Sequence, residues 1–194
     1  MRSAEPQSVA GLPVMGAHGQ GLRSATPADI PALAELWFAG WQDAHASILP
    51  HTITSQRTLE SLAIRLDEHF GAIKLVGTPG APLGFHWIRG AELHQLYVDA
   101  TARGAGLAGQ LIDDAEVSIA ASGAPTAWLA CAIGNHRAAR FYEKRGWCRA
   151  RVQTISLDLP SRATSLDVWR YEKDLTLMPE RFSPRSWPLR PSDP

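Results

Sequence analysis

Residues 103–109 read Arg103-Gly104-Ala105-Gly106-Leu107-Ala108-Gly109, and this stretch decides the fold. A strand-like run, Glu92–Val98, precedes it, and a run with helical periodicity, Leu107–Ala121, follows it. Glycines let the backbone approach a ligand closely, and the first N–H groups of a helix have no partners within that helix. A strand, a glycine-rich loop and a helix in this order predict an anion site, such as a site for phosphate groups.

The spacing Gly104-x-Gly106-x-x-Gly109 also fits a dinucleotide-binding loop, but its context argues against that class. Asp99–Arg103 separate the loop from its strand, and no carboxylate that could hold a ribose follows the next predicted strand, residues 126–132. A lysine does not follow the third glycine, which excludes the phosphate loop of nucleotide triphosphatases. The sequence therefore disfavours a nicotinamide-dependent oxidoreductase.

A second motif lies further along the chain and reads Asn135-His-Arg-Ala138-Ala-Arg-Phe-Tyr142-Glu-Lys-Arg-Gly146-Trp147. Together with Arg103–Ala108 it resembles the GNAT acetyltransferase superfamily. The acyl-CoA loop of that family reads [Arg/Gln]-x-x-Gly-x-[Gly/Ala], and its later motif reads Asn-x-x-Ala-x-x-x-Tyr-x-x-x-Gly-[Phe/Trp]. The segment before the loop, residues 97–100, resembles the family's Val-Asp-Pro strand end, with alanine in place of proline.

The resemblance implies an N-acetyltransferase that moves an acetyl group from acetyl-CoA, its co-substrate, to a primary amine by direct transfer in a ternary complex. A catalytically silent domain that binds acyl-CoA as a sensor or scaffold is the alternative. The resemblance also implies which residues contact the co-substrate. They are Leu96, Tyr97, Val98, Arg103, Gly104, Ala105, Gly106, Leu107, Ala108, Asn135 and Tyr142.

The resemblance implies that Tyr142 acts as the acid that protonates the leaving thiolate. It follows Asn135 by about two helical turns, so both side chains address one side of the helix. Glu92 is the candidate base, directly or through water, with His94 as the alternative. Strand alternation predicts Glu92, His94, Leu96 and Val98 on one face and Leu93, Gln95 and Tyr97 on the other.

Other residues were considered for a covalent route, a metal site and an acceptor pocket. Cys131 with the nearby His136 would allow a covalent route, but its apolar strand favours a buried structural thiol. The histidines are too scattered to predict a metal site. The candidate side chains for an acceptor pocket, with core packing as the alternative for the tryptophans, are Trp37, Trp41, His45, His86 and Trp87.

Composition limits the partners. Nineteen basic and nineteen acidic residues give a formal net charge of zero. We therefore expect a small-molecule amine or peptide acceptor, and neither nucleic acid nor a membrane surface. The N-terminus lacks the apolar segment of a secretory signal, so a cytoplasmic location is expected. The resemblance adds a homodimer as a family-level expectation.

The predicted fold is α/β, with a mixed central sheet of about six or seven strands and helices on both faces, which resembles the GNAT fold. Residues 1–20 are expected to form a flexible tail, 21–175 the acetyltransferase domain and 176–194 a proline-rich tail. Periodicity and capping signals predict the elements between the tails. The predicted helices are 27–41, 55–69, 107–121 and 135–145, and the predicted strands are 21–26, 72–76, 83–88, 92–98, 126–132, 147–157 and 165–173.

Overall fold

The computed structural model describes residues 21–157 and 164–176. The predicted tails, 1–20 and all of 176–194 except Thr176, lie outside the described residues. Seven strands form one sheet. The strands are β1 (Arg23–Ser24), β2 (Ile73–Thr78), β3 (Ala81–Arg89), β4 (Glu92–Val98), β5 (Thr126–Ala132), β6 (Cys148–Leu157) and β7 (Thr164–Asp174).

Five α-helices accompany the sheet in the part of the chain that the structure describes. They are α1 (Ile30–His45), α2 (His51–Thr54), α3 (Leu59–His69), α4 (Leu107–Ala121) and α5 (His136–Lys144). The predicted capping of the first helix is present, because Thr26 and Asp29 form a reciprocal capping box around a short 3-10 turn that leads into α1.

The strand order is β1-β2-β3-β4-β5-β7-β6. All neighbouring strands are antiparallel except β4 and β5, which are parallel and joined through α4, as predicted. One core cluster packs α1 and α3 against one face of the sheet, and two further clusters pack α4 against the other face. The prediction of a mixed α/β sheet with helices on both faces is confirmed.

A β-bulge in β4 changes which side chains share a face. Trp87 pairs with Gln95 and Ile88 with Leu93, so His94 is an extra residue without a partner on β3. Beyond the bulge, Tyr97 packs with the α1 core, whereas the side chains of Leu96 and Val98 pack with α4, as does that of Leu93. The predicted grouping of Glu92 and His94 with Leu96 and Val98 is therefore wrong, because regular alternation does not continue through a bulge.

Several predicted boundaries also differ from the structure. The second long helix begins at Leu59 rather than at residue 55, because the Thr58 hydroxyl accepts a hydrogen bond from the Ser61 N–H and caps it there. The hairpin between β2 and β3 turns at Pro79 and Gly80 alone, so both strands extend into the predicted loop. Strand β1 has only two residues.

Candidate active site

The parallel strands β4 and β5 separate almost as soon as they meet. Glu92 and Trp128 are their one registered pair, and the Trp128 N–H donates to the Ala91 carbonyl at 3.0 Å. A cavity of 270 Å³ lies in the gap, and we call it the larger cavity. Seven of the predicted co-substrate residues line it: Leu96, Tyr97, Val98, Arg103, Ala108, Asn135 and Tyr142.

The glycine-rich loop has the backbone that its sequence predicts. Gly104 and Gly106 have φ of 84° and 82°, in the left-handed region, and Gly106 is the N-cap of α4. A Cβ atom at either position would meet nothing within 4 Å, so the glycines serve backbone conformation. Residues 104–107 are not among those lining the larger cavity, and the Leu107 side chain is buried in the core.

Two arginines and one aspartate meet at the edge of the larger cavity. Arg103 and Arg137 line it, and Asp43 of α1 pairs with them at 3.0 and 2.7 Å. The Arg137 guanidinium lowers the pKa of the Asp43 carboxyl, and the Arg103 guanidinium makes a smaller contribution in the same direction. Two fixed positive charges beside the N-terminus of α4 suit a phosphorylated ligand.

The second motif, residues 135–147, contains residues that stabilise the fold and residues that line the larger cavity. The Asn135 side chain accepts a hydrogen bond from the Ala138 N–H at 3.1 Å and caps α5, and Gly146 has a φ of 82° just after the helix. Trp147 is buried and donates from Nε1 to Glu116 at 2.8 Å. Tyr142 lines the larger cavity, and burial raises the pKa of its hydroxyl, which therefore stays protonated at neutral pH.

Cys131 also lines the larger cavity, but its thiol is unsuited to attack. Burial, with a smaller contribution from the Glu143 carboxylate, raises the pKa of Cys131 to about 12. The reactive form is the thiolate, which this environment disfavours. The ring of His136 packs against Trp169, with their centroids 5.5 Å apart.

A smaller cavity of 200 Å³ adjoins the larger one. Trp37, Trp41 and His45, three of the candidate acceptor-pocket residues, line it. His86 and Trp87 do not line it. His86 points to the α4 face, where its Nε2 lies 2.8 Å from Oδ2 of Asp114, and Trp87 is buried in the core beneath the cavity-lining His94. The prediction for His86 is wrong, because β3 alternation sends its side chain to the opposite face. Trp87 follows the alternative prediction, that of core packing.

The two candidate bases are hydrogen bonded to each other. Nδ1 of His94 lies 3.1 Å from Oε1 of Glu92, and Nε2 of His94 lies 3.4 Å from Nη2 of Arg65. An arginine only donates, so Nε2 accepts and Nδ1 carries the proton that His94 donates to Glu92. Both nitrogens of the imidazole are thus engaged, and Glu92 keeps its second carboxylate oxygen for other contacts.

Sequence reasoning missed the arginines of the smaller cavity. Among the described residues, Arg57, Arg65 and Arg89 line it together with one carboxylate, Glu92. They come from three separate segments and belong to no motif, so only the fold brings them together. His45 lines both cavities. Burial lowers the pKa of its imidazole. A hydrogen bond to the Trp41 carbonyl opposes this shift, and the charge of Arg57 adds to it.

The comparison with known families identifies the class. The family model described as the acetyltransferase (GNAT) family matches residues 31–147, which is more than half of the chain. The protein therefore belongs to the GNAT acetyltransferase family. No curated protein sequence matches the chain.

Solved structures of acetyltransferases share this fold. A GCN5-related N-acetyltransferase from Rhodopseudomonas palustris superposes with a TM-score of 0.64 at 23% identity, covering 84% of this chain and 99% of its own. The PaiA N-acetyltransferase of Thermoplasma acidophilum, in complex with coenzyme A, gives 0.57 at 19% identity, covering 80% and 99%. The acetyltransferase YncA of Salmonella typhimurium, with acetyl-CoA, gives 0.56 at 14% identity, covering 81% and 94%.

No group of His, Cys, Asp or Glu side chains among residues 21–157 and 164–176 is arranged to hold a metal ion. Within the same ranges, no helix has the length and apolar character needed to cross a membrane.

Proposed function

We propose that the protein is an acetyl-CoA-dependent N-acetyltransferase that transfers the acetyl group directly to a primary amine. The observation that carries the proposal is that the two cavities meet where β4 and β5 separate, with His45, His94 and Tyr97 lining both. The larger cavity suits the donor and the smaller one the acceptor. A thioester in the larger cavity and an amine in the smaller one can therefore meet beside β4.

Several features support acetyl-CoA as the donor. The separated strands leave β4 backbone groups from Gln95 to Val98 without partners on β5, which suits the amide groups of the pantetheine arm. The loop N–H groups of residues 104–108 and the Arg103 and Arg137 guanidinium groups suit the phosphates. Two structural relatives hold coenzyme A or acetyl-CoA.

Glu92 is proposed as the base and His94 as the residue that positions it. The Nδ1–H of His94 holds Oε1 of Glu92 by a hydrogen bond. Oε2 of Glu92 then takes the proton from the amine, directly or through water. The amine nitrogen then forms the bond to the thioester carbonyl carbon, and the C–S bond breaks.

Tyr142 is proposed to stabilise the departing thiolate by donating a hydrogen bond. Its raised pKa keeps the phenol protonated. Complete proton transfer from such a phenol to a thiolate, whose ordinary pKa is about 8.5, would be uphill. The thiolate therefore takes its proton from solvent. The proton that Glu92 removes from the amine returns to solvent, so the reaction balances.

The lining of the larger cavity favours direct transfer rather than transfer through a covalent intermediate. Cys131 is the one cysteine on its lining among the described residues, and its pKa of about 12 leaves almost no thiolate at neutral pH.

Thermal denaturation and free-thiol detection test the proposal on the full chain. Acetyl-CoA at 100 times its Kd should stabilise the protein by about 2.7 kcal/mol, or roughly 5–10 °C in Tm for a protein of this size, while NAD should not. A primary amine from a panel should then make thiol release depend on the amine. Stabilisation by NAD alone would point to an oxidoreductase, and acetyl-CoA binding without amine-dependent release would point to a sensor.

A further inference from the structure

Four polar side chains line both cavities, where a thioester and an amine would meet. They are His45, His94, Gln95 and Tyr97. When an amine attacks a thioester, negative charge develops on the carbonyl oxygen, and a hydrogen-bond donor placed beside that oxygen stabilises the transition state. The capacity of each side chain to donate therefore decides which of them can act on the oxygen.

The two imidazoles have no hydrogen left to donate. Nδ1–H of His94 donates to Glu92, and Nε2 of His94 accepts from Arg65 at 3.4 Å. Nδ1 of His45 lies 3.0 Å from the Trp41 carbonyl oxygen, which only accepts, so the hydrogen of the neutral His45 ring is on Nδ1. Burial lowers the pKa of His45 and keeps that ring neutral, with no hydrogen on Nε2.

The ring of Tyr97, by contrast, is fixed and keeps its hydroxyl. It stacks on Phe85, with the centroids 5.9 Å apart and the planes at 26°, and its centroid is 6.4 Å from that of Trp37. Gly40 of α1 lies on a further side, where an added Cβ atom would be 2.7 Å from Cδ1 of Tyr97. A glycine inside a helix lowers the stability of the helix, and here it leaves the space that the ring fills. The hydroxyl is thus preorganised, as an oxyanion donor has to be.

A neutral donor lies behind the Tyr97 hydroxyl. Nε1–H of Trp37 is buried and has no hydrogen-bond partner within the described residues. Burial raises the pKa of the Tyr97 phenol, and the nearby Trp37 indole opposes that rise in part. Because an indole N–H only donates, closing a hydrogen bond between the two would use a lone pair of the phenol oxygen. The hydrogen of the Tyr97 hydroxyl would remain available to a ligand.

The Tyr97 phenol also lies near the proposed donor to the thiolate. Burial is the main cause of the raised pKa of Tyr142, and the Cys131 thiol and the Tyr97 phenol add to it, so the two phenols are within electrostatic range of each other. Both tyrosines line the larger cavity. The sulfur and the carbonyl oxygen of a thioester are bonded to the same carbon. Two neighbouring hydroxyl groups therefore suit these two atoms, Tyr142 the sulfur and Tyr97 the oxygen.

We propose that the Tyr97 hydroxyl is a further catalytic group, which donates a hydrogen bond to the carbonyl oxygen of the acetyl thioester, and that Trp37 positions it. This inference rests on the proposed acetyltransferase function. As the amine nitrogen bonds to the carbonyl carbon, an electron pair moves from the C=O bond to the oxygen, and the Tyr97 O–H stabilises that charge without giving up its proton. The pair returns to re-form the carbonyl as the C–S bond breaks and the thiolate leaves.

Infrared difference spectra of the full chain with acetyl-CoA, isotope-labelled at the acetyl carbonyl carbon, test this hydrogen bond. A hydrogen bond lowers the C=O stretching frequency, so bound acetyl-CoA should absorb at a lower frequency than free acetyl-CoA. Tyr97→Phe should remove most of the shift. Tyr171→Phe, which removes a phenol outside both cavities, is the matched control and should keep it, as should Tyr142→Phe.

The amide of Gln95 is the competing donor, and the same spectrum separates the two residues. A shift that persists in Tyr97→Phe would overturn the proposal, and its loss in Gln95→Met would assign the hydrogen bond to Gln95. The absence of any shift in the parent protein would also overturn the proposal.

Turnover with the best amine of the panel measures the catalytic effect. Tyr97→Phe should lower kcat by about 100-fold, as expected for the loss of one oxyanion donor, with less than about a threefold change in the Kd for acetyl-CoA. Gly40→Ala keeps the phenol but displaces its ring, so kcat should fall by about tenfold or more in a folded protein. An unchanged kcat in both variants would contradict the proposal.

A double-mutant cycle tests the positioning role of Trp37. Trp37→Phe should lower kcat by about tenfold in the parent protein but by little in Tyr97→Phe, because the indole acts through the phenol. Equal losses in the two backgrounds would mean that Trp37 contributes through packing alone.

The infrared measurement needs no acceptor, so it separates this inference from the proposed function. If no amine releases thiol but Tyr97→Phe removes the shift, the proposed activity is wrong and the hydrogen bond from Tyr97 stands. If thiol release occurs and the shift persists in Tyr97→Phe, the enzyme stands and this inference fails. A protein that does not bind acetyl-CoA would contradict both.

Discussion

Oε1 of Glu92 lies 3.1 Å from Nδ1 of His94, at the β-bulge of β4. The bulge leaves His94 without a partner on β3 and presents both side chains to the smaller cavity. Two residues that sequence reasoning treated as alternatives therefore form one hydrogen-bonded pair, in which we propose that Glu92 is the base and His94 positions it.

The first prediction separates those roles. Glu92→Gln should lower kcat by about 100-fold or more, because a carboxamide cannot accept the proton of the amine. His94→Gln should lower kcat less, because it loosens Glu92 without removing it. Steady-state thiol release measures both, with Glu68→Gln, an exposed glutamate of α3, as the control. A larger loss in His94→Gln than in Glu92→Gln would make the imidazole the base.

The second prediction concerns Tyr142. Tyr142→Phe should lower kcat at least tenfold and change the Kd for acetyl-CoA less than about twofold, because the hydrogen bond to the thiolate forms only as the C–S bond breaks. Tyr171→Phe is the matched control. It loses a partly buried 2.8 Å hydrogen bond to Glu143 and should lower Tm by a few degrees, through a loss of about 1 kcal/mol, with kcat unchanged. Equal kcat values for Tyr142→Phe and the parent protein would remove Tyr142 from the chemistry.

The third prediction tests the glycine loop. Gly106→Ala places a side chain at a φ of 82°, which costs about 1–2 kcal/mol, and the loop relieves this by moving its N–H groups. We expect weaker CoA binding by calorimetry, together with a modest fall in Tm. Gly109→Ala is the control, because Gly109 lies inside α4 and its Cβ would meet only Arg145, at 3.7 Å. Unchanged affinity in Gly106→Ala would show that the loop does not contact the ligand.

The fourth prediction is a pH dependence of stability. Two N–H groups of Arg23 donate to the buried Asp29 at 2.6 and 2.8 Å, and these bonds lower the pKa of its carboxyl below the ordinary value of 3.8. A lowered pKa stabilises the fold above the unfolded-state value, and this contribution is lost as the pH falls through the folded-state value. Asp29→Asn should cost about 2–3 kcal/mol at pH 7 and less below about pH 4.

Urea titrations at pH 7 and at pH 3 measure that difference, with Asp67→Asn, an exposed residue of α3, as the control. The same loss of stability at both pH values would mean that Asp29 contributes through packing alone.

Local patterns predicted the elements that build the larger cavity. The bounds of β4, α4 and β5 match their predictions, because glycines and apolar periodicity mark them within the segment itself. The loop conformation and the helix cap at Asn135 also follow from neighbouring residues. Such features need no knowledge of the rest of the chain.

Features that depend on distant segments could not be predicted. The bulge at His94 shows only in the pairing with β3, and the separation of β4 from β5 shows only in the whole sheet. Arg57, Arg65 and Arg89 follow no common spacing, and Asp43 meets Arg103 and Arg137 across separate elements. Their shared sites exist only after folding.

The single registered pair between β4 and β5 makes the sheet two half-sheets joined along a short seam. One half comprises β1 to β4 and the other β5 to β7, with α4 as the covalent connection between them. Both strands line the larger cavity, so a ligand seated there would contact both half-sheets and act as a cross-link. We therefore expect occupancy to slow amide hydrogen exchange in both half-sheets together, so that the cooperativity of unfolding would itself report the bound state.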